Sequence, residues 1–438
     1  MSPTSSTVAV PPPASPDATP AAGTLFGAWW SSGRSDLAAH VAHFGPLPVP
    51  RRVDDQWCDR FAAAVASSGL TGRGGAAFPS ARKLALVRAG RAGGLLVVNA
   101  SEGEPASAKD AALVSCAPHL VLDGAELTAL AVRAERVVVC VADDRPDTAL
   151  AVTYAVAERA GTGLSPVPVD IRRPPGRFVT GEESALVSWL DGGPAAPSFR
   201  PRRGTLLTVG RRPVLVHNAE TLAHVELIAR AGAAAFRRTG PAEAPGTLLT
   251  TITGAVERPG VYEVAMGTPL GEVLGRAAPR QAVAAVLTGG FGGSWVPGTA
   301  LATPYAPGDL ARIGGVVGAG VLVVLPRSSC GVAETARIAA FMAGESAGQC
   351  GPCVFGLPAV AADLAALAEG RPDAALGARL SGRLGAVDGR GACRHPDGVV
   401  RMVRSALSVF ADDVRAHLRG APCPGLRRPS VLPPARPR

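Results

Sequence analysis

The chain has 438 residues and a net charge of +9, carried almost entirely by arginine; it is long enough for several domains, and without a basic stripe interleaved with aromatics no nucleic-acid partner is expected. No apolar run reaches the ~18–20 residues of a membrane span, and the start "MSPTSSTVAVPPPASPDATPAAG" lacks the basic opening and apolar core of an export signal. The eight cysteines are therefore expected in a reducing, cytoplasmic compartment, as thiols or metal ligands rather than disulfides.

Residues 1–24 read as a disordered Pro/Ala-rich tail. From there to about residue 240, short apolar runs alternate with helical patterns. "GLLVVNA" (94–100), "RVVVCVAD" (136–143) and "VPVDIRR" (167–173) read as buried strands. Residues 118–134, 147–161, 181–192 and 218–238 read as helices. Such alternation predicts an α/β domain over 25–240 with a mostly parallel sheet. After the link "GPAEAPG" (240–246), the stretch "TLLTTITGAVERPGVYEVAMGTPLGEVL" predicts a hairpin and a short helix. "VGAGVLVVLP" closes this small α+β module, which spans 245–327. Helices over 331–346, 356–370, 374–385 and 397–419 then predict an antiparallel four-helix bundle within 328–420. Residues 421–438 read as a second disordered, Pro/Arg-rich tail.

Several segments carry chemistry. "TGRGGAAFPSARKL" (71–84) places three glycines around an arginine, which suits close approach of backbone N–H groups to phosphate. Gly72, Gly74 and Ala77 also satisfy a GxGxxG/A pattern, but a helix precedes them where a dinucleotide fold needs a strand. "NASEGEPASAKD" (99–110) follows a strand, where open α/β sheets bind ligands, so Glu102 and Glu104 face a ligand or simply solvent. Gly181, Glu182 and Glu183 open a helix, and acids in a first turn are also ordinary helix chemistry. The whole chain holds only two lysines, Lys83 and Lys109, and two asparagines, Asn99 and Asn218. All four fall in these segments or in "HNAETL" (217–222), which points to specific donors that Arg and Ser cannot replace. A CxxC, Cys350 and Cys353, lies in the loop between the first two bundle helices.

Together these segments resemble the FMN-binding 51 kDa (F) component of respiratory complex I, the NADH dehydrogenase, as a divergent member. The family's glycine loop reads GRGGxGFPTGxKW, and here it is "GRGGAAFPSARKL". Its strand-end motif NADEGEP appears as "NASEGEP", and its helix start YxxGEETAL as "FVTGEESAL". Its PTxxNNVETL appears as "PVLVHNAETL", and its ESCGxCxPC as "ESAGQCGPC". The motifs keep their order over roughly residues 68 to 400.

The resemblance implies FMN surrounded by Gly72, Arg73, Gly74, Gly75, Lys83, Asn99, Ser101, Glu102, Gly181, Glu182, Glu183, Val216, His217 and Asn218. It implies NADH, or NADPH, held by Phe78, Glu104 and Phe178. The middle module becomes a β-grasp (ubiquitin-like, SLBB-like) domain and the bundle an iron–sulfur domain. Cys350, Cys353 and Cys393 match three cluster ligands, and Ala347 stands at the fourth position. Cys330 is a poor substitute, because the helix between it and the loop is ~24 Å long. Ser346, Glu345 and His395 lie closer in sequence. The cluster is then four-iron with a non-cysteine ligand, three-iron, or absent.

Other departures are Ser101 for an aspartate, Leu84 for a tryptophan and His217 for an asparagine; Arg200 and Arg203 replace a K-P-P-F run. The implied activity moves a hydride from the nicotinamide to FMN. Single electrons then leave through the cluster to a ferredoxin-like partner or a quinone-reducing complex at the inner membrane. The rival reading is a non-catalytic assembly protein that keeps the fold.

Overall fold

The computed structural model describes residues 25–26, 33, 35–90, 93–199, 206–421 and 423–433. The expected tail over 1–24 and the two arginines Arg200 and Arg203 lie outside the described residues.

Three helices lead into the first sheet: α1 (Leu37–Phe44), α2 (Asp55–Ser68) and α3 (Ser80–Arg88). Asp36 and Asp54 cap the first two by accepting the N–H groups of Ala39 and Trp57, and Gly69, at φ 72, closes α2. The glycine loop lies between α2 and α3, closed by the Gly72 N–H donating to the Phe78 carbonyl at 2.8 Å.

The sheet begins with β1 (Gly94–Asn99), followed by α4 (Lys109–Cys116), α5 (Pro118–Ala131), β2 (Ala134–Cys140) and α6 (Pro146–Arg159). Next come β3 (Val169–Arg172), a 3-10 turn over Phe178–Gly181, α7 (Glu183–Leu190), β4 (Leu207–Val209), β5 (Arg212–Asn218) and α8 (Ala219–Phe236). The strand order is β3-β2-β1-β5-β4, parallel except for the β4 edge. The Leu/Val run of β1 is covered on both faces, as a central parallel strand must be. Its register with β5 pairs Asn99 with Asn218, so the chain's two asparagines end adjacent strands. β4 and β5 were not legible as strands, because Pro213 and a short arginine-flanked edge interrupt the pattern.

The second sheet contains β6 (Thr247–Gly254), β7 (Gly260–Ala265), β8 (Val283–Thr288), β9 (Ser294–Pro297) and β10 (Val321–Pro326). Two short helices accompany it, α9 (Leu270–Gly275) and α10 (Pro307–Arg312). Its order is β7-β6-β10-β8-β9, with β10 parallel to β6 in the middle. All six residues of β10 are buried, which explains its unbroken apolar run. This sheet is tied to the first unit by Leu249 N–H donating to Glu220 Oε1 (2.7 Å) and Ala108 N–H to Thr251 Oγ1 (3.1 Å).

The last unit is helical: α11 (Gly331–Gly344), α12 (Leu357–Ala368), α13 (Leu376–Val387), α14 (His395–Val409) and α15 (Ala411–Leu418). The helix expected over 397–419 breaks at Phe410, whose ring packs on Trp295 of β9. The expected C-terminal tail is corrected by the structure. Residues 423–433 return to α11, where Ser430 Oγ and the Val431 N–H donate to the buried carboxylate of Glu334. A buried acid needs such donors, and the tail supplies them. Among the described residues no single helix is long and apolar enough to cross a bilayer; the apolar α4–α5 pair is bent by 95°.

Candidate functional site

The carboxyl edge of the first sheet, bordered by the glycine loop and the start of α7, is the candidate binding crevice. Lys83 on α3 donates to Glu183 Oε2 on α7 (2.9 Å) and to the Val216 carbonyl on β5 (3.2 Å). Asn99 Nδ2 donates to the Gly181 carbonyl (3.0 Å), and Asn218 Nδ2 to the Asn99 carbonyl (3.2 Å). Lys109 Nζ donates to Asn218 Oδ1 (3.1 Å), so Lys109 and both asparagines belong to one connected set, with Lys83 bonded to Val216 two residues before Asn218. Lys109 itself is buried between Asp110 (2.8 Å) and Glu220 (3.0 Å). Burial opposes its charge, but those carboxylates overcome the penalty and hold the ammonium above its usual range.

The remaining residues divide by what their side chains do. Gly75, at φ +108, and Gly74, where an added Cβ would sit 3.3 Å from Asn218 Cβ, let the loop lie flat against β5. Arg73 is buried, its guanidinium donating to Thr71 Oγ1 and the Pro245 carbonyl, so the loop offers its backbone rather than this charge. Glu102, at φ 42, turns its carboxylate into the start of α4, accepting the N–H groups of Asp110 (3.0 Å) and Ala111 (3.2 Å). Glu182 caps α7 in the same manner, accepting from Ser184 and Ala185. Ser101 Oγ, Thr180 Oγ1 and His217 Nε2 are buried at this edge with no hydrogen-bond partner among the described residues. Burial, and then the Lys83 charge, push the His217 imidazole down to about 3, so it is neutral.

Beside this edge Glu104 accepts the N–H groups of Phe291 (2.9 Å) and Ala106 (3.2 Å), and burial pushes its carboxyl up to about 7. Phe78 lies under the Arg82 guanidinium, 5.7 Å from the ring centroid. Phe178 meets the third unit. Its N–H donates to Glu345 Oε2 (3.0 Å), and its ring stands edge-on to His395 at 5.4 Å.

That contact leads to the cysteines. A π turn, Pro352–Gly356, follows Cys350, whose carbonyl accepts the N–H groups of Cys353 and Val354. Burial pushes the Cys353 thiol up to about 12; Cys350 and Cys393 add to the rise, and a hydrogen bond with Ser346 opposes it. Cys393 is raised by burial, accepts the His395 backbone N–H, and senses Glu182 and Cys350. The three thiols are thus neighbours next to the flank of the crevice, with Ser346 beside them. Cys330 caps the opposite end of α11, about 21 Å away along 14 residues.

Three family descriptions match. Residues 65–227 match the Nuo51 FMN-binding domain, 249–278 the SLBB domain, and 333–417 the NADH-ubiquinone oxidoreductase-F iron-sulfur binding region. One NADH-quinone oxidoreductase F subunit of Rhizobium meliloti, the second by name, is 31% identical over 89% of the chain and 96% of its own length. The chain belongs to the NADH-quinone oxidoreductase F-subunit family. The F subunit of Mycobacterium tuberculosis is 30% identical over 85% of the chain and 88% of its own length. Among solved structures, the NAD+-reducing NiFe hydrogenase in its H2-reduced state superposes with a TM-score of 0.77 at 30% identity. That match covers 88% of this chain and 67% of the hydrogenase chain.

As a member of the F-subunit family, the chain shows contacts that sequence reasoning missed. Asp110 and Glu220 underlie the asparagine pair, and Glu345 and His395 join the crevice to the cysteine loop. Only the isolated Lys109, beside Asp110, was visible as a signal for the first pair.

Proposed function

We propose that the chain is an NADH dehydrogenase-type module that takes a hydride from NADH and passes single electrons to a partner protein. One observation carries this reading. Lys83, Asn99, Glu183 and Asn218 gather at the carboxyl edge of one sheet, and Phe178 links that edge to the segment before the cysteine loop. FMN, when bound, supplies the conversion of a hydride into single electrons.

In this reading Lys83 and the backbone N–H groups of the 72–75 loop balance phosphate charge, with Glu183 positioning the ammonium. Asn99 and Asn218, each anchored by its own amide, orient the ring against the strand ends, together with Ser101, Val216 and His217. Glu102 and Glu182 hold the two helix starts that frame the site. Phe78, Glu104 and Phe178 hold the dinucleotide, and positioning rather than a nucleophile drives the transfer.

The donor set of Cys350, Cys353 and Cys393 suits a 4Fe–4S cluster lacking one thiolate, and Ser346, hydrogen-bonded to Cys353, offers the fourth ligand at Ala347's place. The second sheet's order, with its parallel central pair, supports a β-grasp domain over 245–327 between an α/β domain at 25–240 and a helical bundle at 328–420. Phe355, 75% exposed two residues after Cys353, supports docking of another protein of the same complex at that loop, which would place the chain on the cytoplasmic side of the inner membrane.

Anaerobic purification with flavin extraction and iron and acid-labile sulfide assays tests this reading. FMN together with iron and sulfide is expected. A colourless protein that takes up no FMN would instead support the non-catalytic scaffold, which Ala347 and Ser101 favour.

A further inference from the structure

A thiol–imidazole group lies at the end of α11 away from the cluster loop. Cys330 caps that helix, accepting the Ala333 N–H at 3.4 Å, and its Sγ is 3.5 Å from His417 Nε2 on α15. Cys423, just beyond α15, completes the group: the three ligand atoms lie within 4.8 Å of one another. Cys330 and His417 are buried, and Cys423 is half-buried.

Two features make this more than chance proximity. His417 Nδ1 lies 2.9 Å from the Leu367 carbonyl, which can only accept. That bond places the proton on Nδ1 and leaves the Nε2 lone pair facing the sulfurs, the arrangement of a metal-ligating histidine. The chain after Cys423 is also seated tightly on Cys330. A Cβ at Gly425 would fall 2.6 Å from the Cys330 backbone nitrogen. Tetrahedral zinc with ordinary Zn–S and Zn–N bonds sets its sulfur and nitrogen ligands about 3.6 Å apart. The observed 3.5 Å needs almost no rearrangement. A thiol–imidazole hydrogen bond alone accounts for that distance, and a Cys330–Cys423 contact brings in the third donor; it is the convergence of all three ligand atoms within 4.8 Å that a metal explains in one step.

We propose that Cys330, His417 and Cys423 bind a zinc ion. Two thiol protons leave to solvent as the thiolates form, and water takes the fourth position on the half-exposed Cys423 side. The ion staples the 423–433 segment and α15 to the start of α11, and it is independent of the flavin and of the cluster cysteines.

The test is elemental analysis of the full chain purified with zinc and dialysed into metal-free buffer, with iron and flavin measured on the same samples. Stoichiometric zinc is expected in the wild type and in the Cys350→Ser/Cys393→Ser variant, and its loss in Cys423→Ser and in His417→Gln. Cobalt substitution should give tetrahedral thiolate absorption that Cys423→Ser abolishes. Wild-type protein without bound zinc, zinc that follows Cys350 and Cys393 instead, or a Cys330–Cys423 disulfide after anaerobic purification would each overturn the assignment. Because the wild-type measurement needs no variant, a misfolded variant does not leave the question open.

Discussion

Replacing Glu104 with glutamine should change how stability depends on pH. Burial pushes this carboxyl from its ordinary 4.5 up to about 7; the N–H groups of Phe291 and Ala106 oppose the rise and Glu102 adds to it. An acid whose folded pKa is raised holds its proton more tightly in the folded state. Its stabilising contribution is full below 4.5 and is lost as pH rises through about 7. With these two values the carboxyl contributes about 2 kcal/mol more at about pH 5.5 than at about pH 8.5. Glutamine does not titrate. Its amide nitrogen also cannot accept, so one of the two backbone N–H groups loses its partner, costing about 1 kcal/mol at every pH. The offset is constant and the slope is diagnostic. Urea unfolding of both proteins at the two pH values should move in the variant's favour by about 2 kcal/mol on going alkaline. Parallel pH profiles for the two proteins would refute the burial argument.

Other substitutions probe the crevice and the loop. Lys83→Met removes a charge-assisted contact at a half-exposed position and should weaken FMN binding about ten- to a hundredfold, read by flavin fluorescence quenching, with little change in melting. Gly103→Ala sets a Cβ 2.7 Å from the Arg177 carbonyl and should cost about 1–3 kcal/mol of stability in urea unfolding while loosening the Phe178 turn. Ala347→Cys should slow the loss of cluster absorbance in air; an unchanged rate would place the fourth ligand elsewhere.

The α/β alternation was legible because β1 and β2 are short, apolar and separated by clear helices. The scarcity of Lys and Asn marked the crevice, and the strand register brings Asn99 and Asn218 together at its edge. Less was legible where one pattern serves two ends. Glu102 read as facing a ligand or solvent and Glu182 as a ligand contact or helix chemistry, and both carboxylates accept N–H groups at helix starts. The central place of β10 escaped because sheet order is set by pairing between distant strands, not by local pattern. The ordered 423–433 segment escaped for a similar reason. Its composition reads as a tail, and its anchors, Cys330 and the buried Glu334 carboxylate, lie nearly a hundred residues earlier.

The most direct measurement is anaerobic titration of the purified chain with NADH while the flavin absorbance is followed. A module of this kind should bleach with NADH. A yellow protein whose spectrum NADH leaves untouched would keep the crevice as a flavin site and contradict the dehydrogenase.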